Sequence, residues 1–337
     1  NGLVLRLEPT QDGMPLSSAT ATFNQIYKDL NSAIENFTKA GVSRKNNYYA
    51  DINVAYAVFA RAALVKLDYT NAAKYAKLAR AGYHLMSNDE YLKGFYTPNS
   101  EWIWSSYGGE SETLFYYSFF AYVAYNANTS TVRNYPRCIY SMLYNKIPST
   151  DLRKGMFLDP KNDKYNTTTG FATSGSDLYK RGFAMRDGLA STAKIAAWMQ
   201  FKFACSDGVG VGNLNHFRSA EMYLIEAEAE YRLGHEDAAR AALIELTQTS
   251  GRDPKYSCSK SGKDLLEEIK LYRSIELWGE GFEFFDLKRW GDKIDRKGFK
   301  NGGNWGSKYV LTVTPDQYNE WTNVLPLKET DYNDQIK

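Results

Sequence analysis

The residues of this 337-residue chain best suited to chemistry by type and spacing are Arg273, Glu276, Glu280, Asp286 and Arg289. Paired carboxylates beside aromatic rings can serve as the acid and nucleophile of glycoside hydrolysis, for which they must stand about 5 to 9 Å apart. Arg273 and Glu276 lie at i,i+3 spacing, as do Asp286 and Arg289, and at that spacing opposite charges on a helix meet. A carboxylate held by an arginine stays ionised and is a poor proton donor. Structural pairing is the expectation and a hydrolase the alternative. The neighbouring Trp278, Phe282, Phe284, Phe285 and Trp290 are expected to pack as core.

Other motifs are weaker. Residues 191–194, Ser-Thr-Ala-Lys, satisfy SxxK, but neither KTG nor SDN occurs in the chain. Residues 208–212, Gly-Val-Gly-Val-Gly, lack the spacing of a phosphate-binding GxGxxG turn and read as an entry loop to the next helix. His84, His216 and His235 stand apart from one another without an HExxH, and Cys138, Cys205 and Cys258 form no CxxC. No catalytic residue, metal or cofactor is expected.

The carboxylates fall in the most patterned stretch, residues 217–291. Ala220, Tyr223, Leu224, Ala227 and Tyr231 recur at helical spacing while Glu221, Glu226, Glu228 and Glu230 fill other positions, which predicts an amphipathic helix. Gly234 ends it. Glu236 and Asp237 then open an alanine-rich second helix, with acidic residues at the end the helix dipole favours. Such a hairpin of tetratricopeptide type cannot bury its apolar face alone and needs neighbours.

Residues 51–66 and 71–82 repeat the design, with Ala72-Ala73 echoed by Ala238-Ala239, 166 positions later. The copies are not tandem, so helical units that pack together must be separated in sequence by an insertion. Residues 19–38 predict a further helix. The insertion opens with Trp102 and Trp104 flanking Ile103 as in a strand, carries ten tyrosines between Tyr91 and Tyr144, and is rich in turn residues from 159 to 191. Residues 197–204 and 309–314 also alternate like short strands.

Charge narrows the function. The 41 basic and 39 acidic residues leave a formal net charge of +2, and no basic run stands out, so nucleic acid is not an expected partner. The 26 tyrosines supply apolar faces with hydrogen-bonding tips, as wet recognition surfaces do.

The pairs Ala220-Glu221, Glu226-Ala227 and Glu280-Gly281, followed by Asp286-Leu287-Lys288-Arg289, stand in an order that resembles the C-terminal signature of the SusD/RagB family. Those proteins are glycan-binding surface lipoproteins of Bacteroidetes outer membranes. Asp151 and Arg153, and the closing VLPLKETDYND, match further family features. Tyr272 stands where the family commonly has Glu, Glu283 where it has Arg, and Leu327 where it has a second Pro.

The resemblance implies a mainly α fold, with tetratricopeptide-like helix pairs packed against a large irregular lobe containing a few short strands. It implies one SusD-like domain lacking its N-terminal part, so that the chain corresponds to the C-terminal two-thirds of a family member. Residues 19–84 would be helical units, 85–216 an aromatic, loop-rich lobe, 217–291 the helical signature, and 292–337 a hairpin and tail. The implied function is non-enzymatic: capture of an oligosaccharide at the cell surface and its transfer to a SusC-like TonB-dependent transporter. The full-length protein would sit on the outer membrane through a lipid anchor.

Sugar contacts are expected where aromatics meet turn residues, at Tyr107, Tyr116, Tyr117, Tyr122, Tyr125 and Trp305. A tetratricopeptide-type adaptor that binds peptides is the other alternative.

Overall fold

Alanine at the helix contacts sets the architecture. A computed structural model describes residues 3–109 and 117–336. In it Ala57, Ala60 and Ala63 of one helix and Ala72, Ala76 and Ala79 of the next are fully buried, so their axes approach closely. The helices concerned are α1 (Ala19–Ala40), α2 (Ile52–Lys66) and α3 (Tyr69–Ala79). Ser18, Asp51 and Asp68 cap them by accepting from otherwise unpaired backbone N–H groups, each cap worth about 1 kcal/mol.

The insertion follows. It contains α4 (Asn88–Tyr91), β1 (Trp102–Ser106), α5 (Phe119–Val123), α6 (Ser130–Asn134), α7 (Ser141–Tyr144), α8 (Asp177–Met185) and β2 (Leu214–Arg218). Strands β1 and β2 pair antiparallel, with register shifts on either side of Trp104. The ladder thus joins the entrance of the lobe to its exit, and β2 runs directly into the next helix.

That helix, α9 (Ser219–Arg232), lies against α3 and leads to α10 (Glu236–Ile244), a π-helical turn (Glu245–Thr249), α11 (Gly262–Glu276) and α12 (Glu283–Trp290). Neighbours in space run α1, α2, α3, α9, α10, with α11 against both α9 and α10. The two alanine-rich hairpins therefore stack despite the insertion between them, as their sequence echo requires. The chain closes with β3 (Ile294–Arg296) and β4 (Leu311–Val313), an antiparallel pair, and the short helices α13 (Tyr318–Trp321) and α14 (Leu327–Tyr332). The fold is mainly helical with a few short strands, as expected. Among the described residues no helix is long and apolar enough to cross a membrane.

Two local expectations fail. Residues 197–204 form no strand; they run irregularly through the lobe core, with Met199 bridged to Cys138 and Gln200 to Phe157. Burial, not pairing, explains their apolar pattern: Met199 and Phe201 pack with Trp102, Ile139 and Leu178. Helix α9 is not amphipathic either. Glu221, Glu226, Glu228 and Glu230 are all buried.

Candidate functional site

Those four glutamates each meet a cation brought by another element. Glu221 accepts from both Nε and Nη2 of Arg61 at 2.7 Å, and Glu226 accepts from Arg80 at 2.7 Å. Glu230 takes Lys77 at 2.5 Å and His235 at 2.7 Å. Glu228 accepts from Arg289 at 2.8 Å and from the indole of Trp290 at 3.0 Å. A stripe that reads as a solvent face is instead the cross-link between the helix pairs.

A second ionic cluster joins the helices to the lobe. Arg218, the last residue of β2, donates through Nη1 to Glu101 at 2.7 Å and to Glu276 at 2.6 Å, and grips Glu280 through Nη2 at 2.7 Å and Nε at 2.9 Å. Arg153 reaches Glu276 at 2.9 Å and Asp151 at 2.7 Å. Arg252 reaches Glu101 at 2.9 Å, while Lys202 donates to Glu280 at 2.7 Å and to the Glu276 carbonyl at 2.8 Å.

Four cations thus face four carboxylates, and Glu101, Arg153, Lys202, Arg218, Arg252 and Glu276 are each no more than 1% exposed. Burial pushes the Glu276 carboxyl upward, but Arg252, Arg218, Arg153 and Lys202 outweigh it and hold the acid well below the usual carboxylate range. Burial likewise pushes the Lys202 ammonium down against the pull of Glu280. Glu276 is therefore an ionised anchor without solvent contact, the opposite of a general acid.

The pairing differs in detail from the sequence expectation. Asp286 and Arg289 do meet, at 2.9 Å. Arg273 does not pair with Glu276: its Nε donates to Asp286 at 2.6 Å, because Glu276 is turned toward the lobe. Tyr272 lies under Arg153, whose guanidinium carbon is 5.1 Å from the ring centroid. Phe285 was expected in the core but is 61% exposed.

The expected sugar contacts fall into separate groups. Tyr107 is exposed after β1, its ring edge-on to Tyr48 at 5.2 Å. Its loop is fixed by the Gly108 N–H, which donates to Asn213 at 3.1 Å. Tyr116 lies outside the described residues. Tyr117 is exposed just ahead of α5, and Tyr122 is exposed within that helix. Tyr125 is half-buried against Phe201, with ring centroids 5.0 Å apart, and burial raises its phenol pKa.

Trp305 is half-buried in the loop between β3 and β4, with the Arg296 guanidinium 4.6 Å from its ring centroid and Tyr140 at 6.5 Å. Among the described residues no ring contact joins Tyr107, the tyrosines around α5 and Trp305 to one another. Sequence reasoning missed Tyr48, Tyr140 and Arg296. The basic residues flanking the glycine-rich turn were the signal for Arg296, whereas Tyr140 reaches Trp305 only through folding.

The Trp305 turn is firmly built. The Asn304 side chain accepts from the Ser141 N–H at 3.0 Å and donates to the Ile139 carbonyl at 2.8 Å. Gly303 passes so close to the strand before it that a Cβ would lie 1.9 Å from the Lys297 carbonyl oxygen.

The remaining motifs have structural roles. In residues 208–212 the Val209 and Val211 N–H groups are used by the Asp207 carboxylate at 3.0 and 3.1 Å, so these two donors are not available to a phosphate. His216 packs on Trp104 at 4.8 Å and hydrogen-bonds Ser106; burial, with Arg61 nearby, pushes its pKa down. All three cysteines are free thiols. Among the described residues no His, Cys, Asp and Glu group is arranged to hold a metal. A groove of about 900 Å³ lies where the helices meet the lobe, lined by Leu64, Leu67, Phe282 and Phe285 and by Phe95, Phe119 and Phe203, and none of the five described sugar-contact candidates lines it.

The fold and this joint define a helix-pair scaffold that carries an inserted, aromatic lobe. The SusD family model matches residues 109–335, and the chain belongs to that family. Solved structures agree in fold. A SusD-like carbohydrate binding protein from Bacteroides vulgatus is 22% identical with a TM-score of 0.74, the match covering 99% of this chain and 70% of that one. A SusD superfamily protein from Bacteroides thetaiotaomicron is 21% identical with a TM-score of 0.72, covering 100% and 70%. No curated protein matches the chain.

Proposed function

We propose that this protein is a non-enzymatic glycan-binding protein of the cell surface, which captures an oligosaccharide and hands it to a TonB-dependent transporter in the outer membrane. The observation that carries the reading is the Trp305 turn, an aromatic side chain on a pinned, glycine-rich loop beside Tyr140. Pyranose rings offer apolar C–H faces to such side chains. Family membership and the description of one fold neighbour as a carbohydrate binding protein support it. Tyr107, Tyr116, Tyr117, Tyr122 and Tyr125 are the further candidate contacts.

The absence of enzymatic action is part of the proposal, supported by the state of Glu276. Anchoring by a lipid on an N-terminal part of the full-length protein, and a SusC-like partner, belong to the same reading. Calorimetry against a panel of oligosaccharides tests it, with Tyr116→Ala and Trp305→Ala as controls. Binding of at least one glycan that weakens in either variant is expected. Failure to bind any glycan, or release of reducing ends from one, overturns it.

A further inference from the structure

The chain as a whole is nearly neutral, but residues 292–310 carry five basic side chains against two acidic ones. Both acids are already engaged: Asp292 binds Lys270 at 2.8 Å, and Asp295 lies 3.3 Å from Lys293 and 3.8 Å from Lys297. No carboxylate pairs with Arg296, Lys300 or Lys308 among the described residues. Lys300 and Lys308 are exposed, and the Arg296 guanidinium lies over the Trp305 ring.

These charges sit on an aromatic turn that is tied down at several points. The Lys297 N–H donates to the Tyr140 hydroxyl at 3.1 Å, the Asn304 side chain ties the turn to residues 139 and 141, and Gly303 fills a space closed to any Cβ. A flexible basic tail would offer only a diffuse field. Here Arg296 lies over a fixed ring and Lys300 and Lys308 stand exposed on the same β3–β4 connection, and a guanidinium stacked on an aromatic keeps its outer edge free to fork onto a carboxylate or sulfate.

We infer that the ligand of this turn is an acidic oligosaccharide, whose carboxylate or sulfate groups meet Arg296, Lys300 and Lys308 while a pyranose face meets Trp305 and Tyr140. The inference rests on the glycan-binding reading above and names the class of sugar.

Calorimetry on the full chain at low and high salt, with oligogalacturonate, a sulfated galactan oligomer and a neutral galactan oligomer of equal length, separates the cases. At least one acidic oligomer should bind about tenfold tighter than the neutral one, the step that a single charge-assisted contact provides, and salt should shrink the difference. Arg296→Gln should remove most of that preference without lowering the melting temperature. Equal affinity for the neutral oligomer overturns the inference and leaves glycan binding standing. So does equal binding of polyglutamate, or an acidic preference that survives in the triple variant Arg296→Gln, Lys300→Gln, Lys308→Gln. Binding of none of the three sugars, nor of any other glycan, overturns both readings.

Discussion

Arg218 donates to Glu276 at 2.6 Å across 58 residues of chain. The contact ties the last residue of β2 to the last residue of α11, and through Glu101 it reaches the residue just before β1. One guanidinium thereby fixes where the lobe enters, where it leaves and where the helical layer ends.

Glu276→Gln should lower stability by about 3 to 5 kcal/mol, the usual result of stranding buried charge; Arg218, Arg153 and Arg252 would all lose a partner. Thermal unfolding of the variant measures it. A loss below about 1 kcal/mol would mean that the cluster is hydrated and does not act as a joint.

The same residue sets an acid response. Its folded pKa is depressed below the ordinary 4.5, so its stabilisation is present above that value and is lost as pH falls through the lower folded pKa. Denaturant midpoints of the wild type should therefore decline from about pH 4.5 downward. In Glu276→Gln the decline should be shallower, and parallel curves would count against this assignment.

Exposure separates the ion pairs of α9. Lys77 meets Glu226 and Glu230 with its side chain 46% exposed, so Lys77→Met should cost less than about 1 kcal/mol. Glu228 is fully buried between Arg289 and Trp290, and Glu228→Gln should cost about 3 kcal/mol. Urea unfolding of both variants compares them, and equal losses would remove burial as the deciding factor.

Trp305→Ala should weaken glycan binding by about 1 to 3 kcal/mol, taking base stacking on aromatics as the upper guide, while leaving the melting temperature nearly unchanged. Calorimetry with matched circular dichroism melts reads both. Full retention of affinity would exclude the turn as a contact.

Gly303→Ala tests the turn without touching the ring. Its Cβ meets the Lys297 carbonyl, so the loop must shift and sugar affinity should fall several-fold, as a misplaced contact does. Calorimetry on this variant gives the answer; wild-type affinity would show that ring placement does not matter.

Local physics made much of this legible in the sequence. Alanine spacing and Gly234 mark helix pairs because each acts within a few residues. The glutamates of α9 misled for the opposite reason: Glu221 looks solvent-facing until Arg61, 160 positions earlier, is folded against it. Arg153, Lys202 and Arg252 carry no local sign of their shared role either. Residues 197–204 alternate like a strand because the lobe core selects their apolar side chains, although no sheet receives them. Trp305 was readable as an aromatic in a turn, but its neighbour Tyr140 was not.

The lobe is held at its roots by Glu101, Asp151, Arg153 and Lys202, each locked into the cluster around Arg218 and Glu276. The stretches between these roots have no part in that lock. Their exposed turns, such as residues 173–175, can lengthen, shorten or exchange side chains while the core and the sockets stay the same, which makes those turns a cassette.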